Sequence, residues 1–252
     1  MQTTQLLCEL DYDNPENIYI STYMKSGTTW LEMILYQMTS GGAMDFVHIN
    51  HIIPWIEHRN TRSGNIELKG KRRTFKTHIP YRYFPNRFKG KIICVVRNGM
   101  DVAVSKFHHL RDYGNPELTF DELFRKHFIN GWFKYLKPWL ENKNNYNVLY
   151  IKYEDLKSDL EKEVLRIADF CNITIDEKEF PRIIQRSSFD FMKKYEDKFG
   201  METYRYNYSN FIRKGESNKG QDYFNDTQRS IYSKQFDKYL SKFDLTKDYD
   251  SD

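Results

Sequence analysis

Residues 17–38 read NIYISTYMKSGTTWLEMILYQM, and the way this stretch is read decides the fold. Its first part, NIYIS, is a short β-favouring run. Its last part, LEMILYQM, carries apolar residues at helical spacing. Between them TYMKSGTTW (22–30) places a lysine, a serine, a glycine and two threonines where a strand hands over to a helix. Turn chemistry is one explanation, because Gly27 supplies a permissive backbone and Thr28 or Thr29 can cap the helix. An anion socket is the other: N–H groups at a helix start, hydroxyls and an ammonium group together suit a multiply charged ligand. The stretch alone leaves both open.

Outward from it, further strands are expected at 72–78 (RRTFKTH), 91–97 (KIICVVR) and 146–153 (YNVLYIKY), each short, rich in Ile, Val, Phe or Tyr and bounded by turn formers. Helical patterns cover 28–39, 101–112, 119–141 and 155–170, with further helices near 176–187 and 227–242. Strands alternating with helices predict an α/β fold with a central, mostly parallel sheet flanked by helices. The unbroken apolar run IICVV suits a strand covered on both faces, and Cys94 within it reads as a buried small hydrophobe. No repeat or linker divides the chain, so a single domain over 1–252 is expected. The long connection 40–71, with helical turns around NHIIPWIEHR, is expected to cover a binding site.

Composition narrows the ligand. An apolar fraction of 39% with 16% aromatic residues excludes disorder. Lys and Arg number 39 against 35 Asp and Glu, a net charge of +4 that fits a compact anion better than a nucleic acid. Cys8, Cys94 and Cys171 lie far apart and form no disulfide framework or metal motif. Residues 1–17 lack a basic start followed by an apolar core, and no apolar run reaches bilayer length, so a cytoplasmic protein with no transmembrane segment is expected.

In open α/β sheets ligands bind beyond the carboxyl ends of the strands. Those ends carry Lys25 in the first loop, Lys76 and His78 after the second strand, Arg97 and then Ser105 after the third, and Tyr153 after the fourth. Taken singly each is an ordinary strand-closing residue; together they gather cations, hydroxyls and an imidazole at one sheet edge. A nucleoside-triphosphate P-loop needs lysine directly after its second glycine, whereas Lys25 precedes Gly27 and no acidic strand end offers a Mg²⁺ ligand. His48 and His51 share a helical face without a third ligand, so no metal site is expected.

On these residues the chain resembles the cytosolic sulfotransferase family, whose opening motif is close to TYPKSGTTW, with Met24 here in place of proline. FKTHIP (75–80), VVRNGMDVAVS (95–105), YEDLK (153–157), SSFDFM (187–192) and FIRKG (211–215) match further family segments in family order. The resemblance implies a P-loop-NTPase-like sulfotransferase fold, and transfer of a sulfuryl group from 3′-phosphoadenosine 5′-phosphosulfate (PAPS) to a hydroxyl or amine, with PAP as product and no metal. It puts the general base on His78 and charge stabilisation at the leaving phosphate on Lys25, assisted by Lys76. The 5′-phosphate socket falls on Lys25, Ser26, Gly27, Thr28 and Thr29. Trp30, Tyr153, Ser187 and Phe189 fall beside the adenine, and Arg97, Ser105, Phe211, Ile212, Arg213, Lys214 and Gly215 at the 3′-phosphate.

Two departures stand out. The Gly-Asp-Trp run that often follows Arg-Lys-Gly is replaced by ESNKGQDYF (216–224), which puts closure over the nucleotide in doubt. The family's dimerisation pattern is not found, so oligomeric state is left open. A nucleotide-binding homologue without turnover and a small-molecule kinase are the alternatives. The acceptor is expected to be a small apolar alcohol or phenol, walled by residues from 43–66, 107–116 and 190–210, with no nucleic-acid partner.

Overall fold

A computed structural model describes residues 14–57, 72–84, 89–142, 147–200, 211–215, 217 and 219–243. Four strands, β1 (Ile18–Ser21), β2 (Thr74–Thr77), β3 (Lys91–Val96) and β4 (Val148–Lys152), form a parallel sheet in the order β2-β1-β3-β4. The chain leaves β1 for β2 on one side and returns to β3 on the other. The carboxyl end of β1 is therefore a topological switch point, where a crevice opens. Register brings Ser21 beside Thr77, so the loops after β1 and β2 emerge together.

The strands serve two cores at once. Alternate residues point to opposite faces: Ile18, Ile20, Ile93, Val95 and Ile151 join one buried cluster, and Tyr19, Phe75, Ile92, Cys94 and Tyr150 the other. This is why these strands read as continuous apolar runs.

The helices are α1 (Thr28–Ser40), α2 (Ile49–Ile52), α3 (Gly99–Asp112), α4 (Gly131–Glu141), α5 (Tyr153–Ser158), α6 (Leu160–Cys171), α7 (Phe180–Ser187), α8 (Phe189–Lys194) and α9 (Asp226–Tyr239). Helices α1, α6 and α7 cover the Ile18 face, while α3, α4 and α9 cover the Tyr19 face.

Two expected helices are broken. Within 119–141 a Thr119–Glu122 capping box starts a single turn, residues Leu123–Phe128 widen into a π-helix, and α4 starts anew at Gly131. The 155–170 helix splits at Asp159, whose extended backbone ends α5 and whose carboxylate accepts the Lys162 N–H at 3.0 Å to cap α6. An aspartate ahead of an apolar period is an N-cap signal, and here it was legible. Expected strand residues 146 and expected wall residues 58–66 and 201–210 lie outside the described residues.

Candidate functional site

The loop after β1 resolves the ambiguity of TYMKSGTTW. Gly27 caps α1 at φ +110° with no side-chain cap, so neither threonine performs the expected capping role. The Thr28 hydroxyl instead pairs with the Thr22 hydroxyl at 2.5 Å. The amides of the first turn are left for something else, and an anion is what a helix start attracts. Gly27 is required twice over. Its backbone is left-handed, and a Cβ would lie 2.8 Å from Tyr153 Cδ2. Lys25 also has a positive φ of 69°, a conformation that costs a non-glycine residue free energy and clusters at ligand sites.

Around this loop a cleft of about 350 Å³ gathers every expected catalytic and nucleotide-binding residue except Ser26 and Ser187. Ser26 is buried, with its N–H on the Tyr23 carbonyl at 3.2 Å. Ser187 contributes through its backbone, whose carbonyl accepts the Trp30 indole N–H at 2.7 Å. Trp30 meets Tyr153 edge-on at 5.4 Å between centroids, giving two aromatic walls. The Arg97 guanidinium lies 4.1 Å over the Tyr153 ring and donates to the Lys25 carbonyl at 3.1 Å, which ties the third strand's cation to the first loop. Gly215, at φ +61°, approaches the Phe189 ring so closely that a Cβ would fall 2.5 Å from it. Burial, then the charges of Arg97 and Arg213, lower the Lys25 pKa to about 8. Lys25, Arg97 and Arg213 thus repel one another in a space that a polyanion would relieve.

His78 stands at the sheet edge. Its Nδ1 lies 2.7 Å from the Thr22 carbonyl, which fixes the proton on Nδ1 and leaves the Nε2 lone pair as a proton acceptor. The His78 N–H donates to Glu57 Oε1 at 2.6 Å, and Trp55 meets the ring edge-on at 5.4 Å. Burial lowers the His78 pKa to about 4, with Lys76 and Lys25 adding to the effect against the opposing Thr22 hydrogen bond. Lys76 is differently placed from expectation. Its ammonium sits 2.9 Å from Glu32 Oε1 and 2.7 Å from Asn50 Oδ1. Its charge is matched by a carboxylate with no exposure, so it is not a free cation beside Lys25.

Asn50, Trp55, His109, Met192, Phe199 and Gly200 also line the cleft. They fall within the segments expected to wall the acceptor. A second cavity of about 590 Å³ was not anticipated. It shares Met24 and His78 with the first, and its other walls include Tyr23, Pro80, Tyr81, Tyr135 and Tyr239. The tyrosines come from the loop after β1, a 3₁₀ turn and the two helices α4 and α9, so no local pattern marked them as a group. The signal for Glu32 was equally weak, since an acid in the second turn of a helix reads as solvated. His48, considered as a metal ligand, is instead structural: its Nδ1 accepts the Asn50 N–H at 3.2 Å and its Nε2 donates to the Gly200 carbonyl at 2.8 Å. Among the described residues no helix is long and apolar enough to cross a membrane.

Comparison with known proteins agrees with this geometry. A protein-family model described as a sulfotransferase domain matches residues 15–244. Mouse sulfotransferase 1B1 is 34% identical over 252 residues, covering 90% of this chain and 83% of the relative. Rabbit amine sulfotransferase is 30% identical over 254 residues, covering 91% and 82%. The crystal structure of mouse sulfotransferase SULT7A1 complexed with PAP superposes with a TM-score of 0.68 at 29% identity, covering 90% and 85%. The chain belongs to the sulfotransferase family, whose reaction is the transfer of a sulfuryl group.

Proposed function

We propose that this chain transfers the sulfuryl group of PAPS to the hydroxyl or amine of a small, largely apolar acceptor, with His78 as general base. The observation that carries the reading is the position of His78, whose ring borders both cavities: the cationic cleft on one side and the tyrosine-lined cavity on the other. An uncapped helix start, a glycine cradled under Tyr153 and a half-buried Lys25 that forms no ion pair among the described residues fit a 5′-phosphosulfate. Arg97, Ser105, Arg213 and Lys214 supply the second anion site that a 3′-phosphate needs. The likeness to a PAP-bound relative supports the same nucleotide here.

Transfer is an in-line displacement at sulfur. The acceptor oxygen or nitrogen forms the new bond to sulfur, its proton passes to His78 Nε2, and the sulfur–oxygen bond to the 5′-phosphate breaks with its electron pair leaving on PAP. Lys25 offsets the charge growing on that leaving oxygen, a role in which one lost donor costs about 10²–10³-fold in rate. Lys76, paired with Glu32, lies beside His78, where burial is the main cause that keeps the imidazole neutral and the lysine charge adds to it. The second cavity suits an aromatic or apolar acceptor because Tyr81, Tyr135 and Tyr239 offer ring faces with polar tips. The amine-specific name of one relative favours keeping amines beside alcohols and phenols. The buried free thiols of Cys94 and Cys171 fit a cytoplasmic setting.

The deciding experiment replaces His78 by alanine. Sulfate transfer to a panel of phenols, alcohols and amines should vanish while calorimetry shows PAP binding within a few-fold of the parent. Transfer that persists in His78→Ala overturns the assignment of the base. PAP binding no tighter than AMP in the parent protein overturns the donor.

A further inference from the structure

The segment that carries Arg213 and Lys214 is fastened at both ends by carboxylates from elsewhere in the chain. At its start the Ile212 N–H donates to Glu196 Oε2 at 3.3 Å. At its far end the Lys219 and Gly220 N–H groups converge on a single oxygen, Asp101 Oδ1, at 3.2 and 2.7 Å. Asp101 is 4% exposed and sits in the first turn of α3, midway in sequence between Arg97 and Ser105. Gly220 opens a short 3₁₀ turn, Gly220–Tyr223, pressed against the start of α3. A Cβ there would overlap the Met100 backbone and the Asp101 amide.

Between the two pieces lies a hollow of about 170 Å³, lined on its charged side by Arg97, Asp101, Arg213, Lys214 and Lys219. Four cations and two carboxylates, Asp101 and Asp222, line it. Without an anchor, repulsion among the cations drives the segment away from α3. Hydrogen bonds from backbone N–H to a buried carboxylate are charge-assisted and resist that repulsion.

We propose that Asp101 is a positioning residue for recognition of the 3′-phosphate. By gripping the backbone at Lys219 and Gly220 it holds Arg213 and Lys214 opposite Arg97 and Ser105. Asp101 touches no nucleotide atom in this role; it sets where the clamp's cations lie. The proposal rests on the nucleotide reading above.

The test compares PAP with AMP by calorimetry in the parent protein, Asp101→Ala, Asp101→Asn and Gly220→Ala, with hydrogen exchange at residues 211–215 in the absence of nucleotide. Loss of a charge-assisted hydrogen bond should weaken PAP binding roughly 10- to 100-fold. AMP binding should change less than about threefold, because no 3′-phosphate is there to be read. Exchange at 211–215 should quicken in both variants that release the grip, and Asp101→Asn, which keeps an accepting oxygen, should recover part of the affinity. Gly220→Ala reaches the same state by steric overlap, so the proposal stands or falls on it where Asp101→Ala does not fold. A parent protein that binds both nucleotides alike overturns the donor reading and this role with it. A parent that prefers PAP, with the preference and the exchange unchanged in both Asp101→Ala and Gly220→Ala, overturns the tether alone.

Discussion

A base whose pKa sits near 4 is a poor proton acceptor at neutral pH, so the bound donor must raise it. Without nucleotide, His78 is held down chiefly by burial, then by the charges of Lys76 and Lys25. Lys76 is already matched by Glu32 at 2.9 Å, which leaves Lys25 as the charge that a nucleotide can neutralise. One added negative charge roughly 8 Å from the ring, at an effective dielectric constant of about 20, favours the imidazolium by about 2 kcal/mol. At 1.36 kcal/mol per unit this is a rise of about 1.5 pKa units.

The sign follows directly. Ring protonation in the free protein occurs near pH 4, and in the PAP complex it moves toward 5.5 or above. The same displacement appears in kinetics, because the acidic limb of kcat/KM for the acceptor at saturating donor reports the nucleotide-bound enzyme. Titration of the His78 ring by NMR, assigned with His78→Gln, measures both states. A free-protein value near the ordinary 6.5 refutes the burial argument, and a value unmoved or lowered by PAP refutes the electrostatic one. The depressed pKa also bears on stability: the unfolded chain binds this proton more tightly, so His78 destabilises the fold as pH falls from about 6.5 through about 4.

Two further substitutions probe the framework. Gly27→Ala forces an L-residue to φ +110° and drives its Cβ against Tyr153, so a cost of about 1–2 kcal/mol from the left-handed backbone should accompany a loss of PAP affinity of at least about tenfold; unaltered calorimetry would contradict the proposed cradle. Glu32→Gln leaves the Lys76 ammonium without its buried partner, and removing one member of such a pair typically costs about 3–5 kcal/mol. Thermal melting should therefore fall markedly, and Glu32→Gln with Lys76→Met should recover most of the loss. Equal melting of the single and double variants would show that the pair carries no such coupling.

The stretch NIYISTYMKSGTTWLEMILYQM revealed the first strand, the first helix and a special turn between them, because strand and helix periods are local properties and Gly27 interrupts both. Motif order likewise brought the family and most of the cleft within reach, since a phosphate socket is built from consecutive residues on one loop. Which of two roles that loop plays was beyond local reading. The Thr28 hydroxyl could cap the helix or turn to Thr22, and the choice depends on where Thr22 ends up once β1 joins the sheet.

Tertiary structure alone paired Glu32 with Lys76 and Thr22 with His78, contacts across 44 and 56 positions that have no periodic signature. It also placed tyrosines from 23, 81, 135 and 239 around one cavity. Local sequence specifies which backbone states and faces a segment prefers. The pairing of charges and the shape of a cavity arise only when distant segments pack, because burial, not sequence neighbourhood, determines which partners a charged group must find.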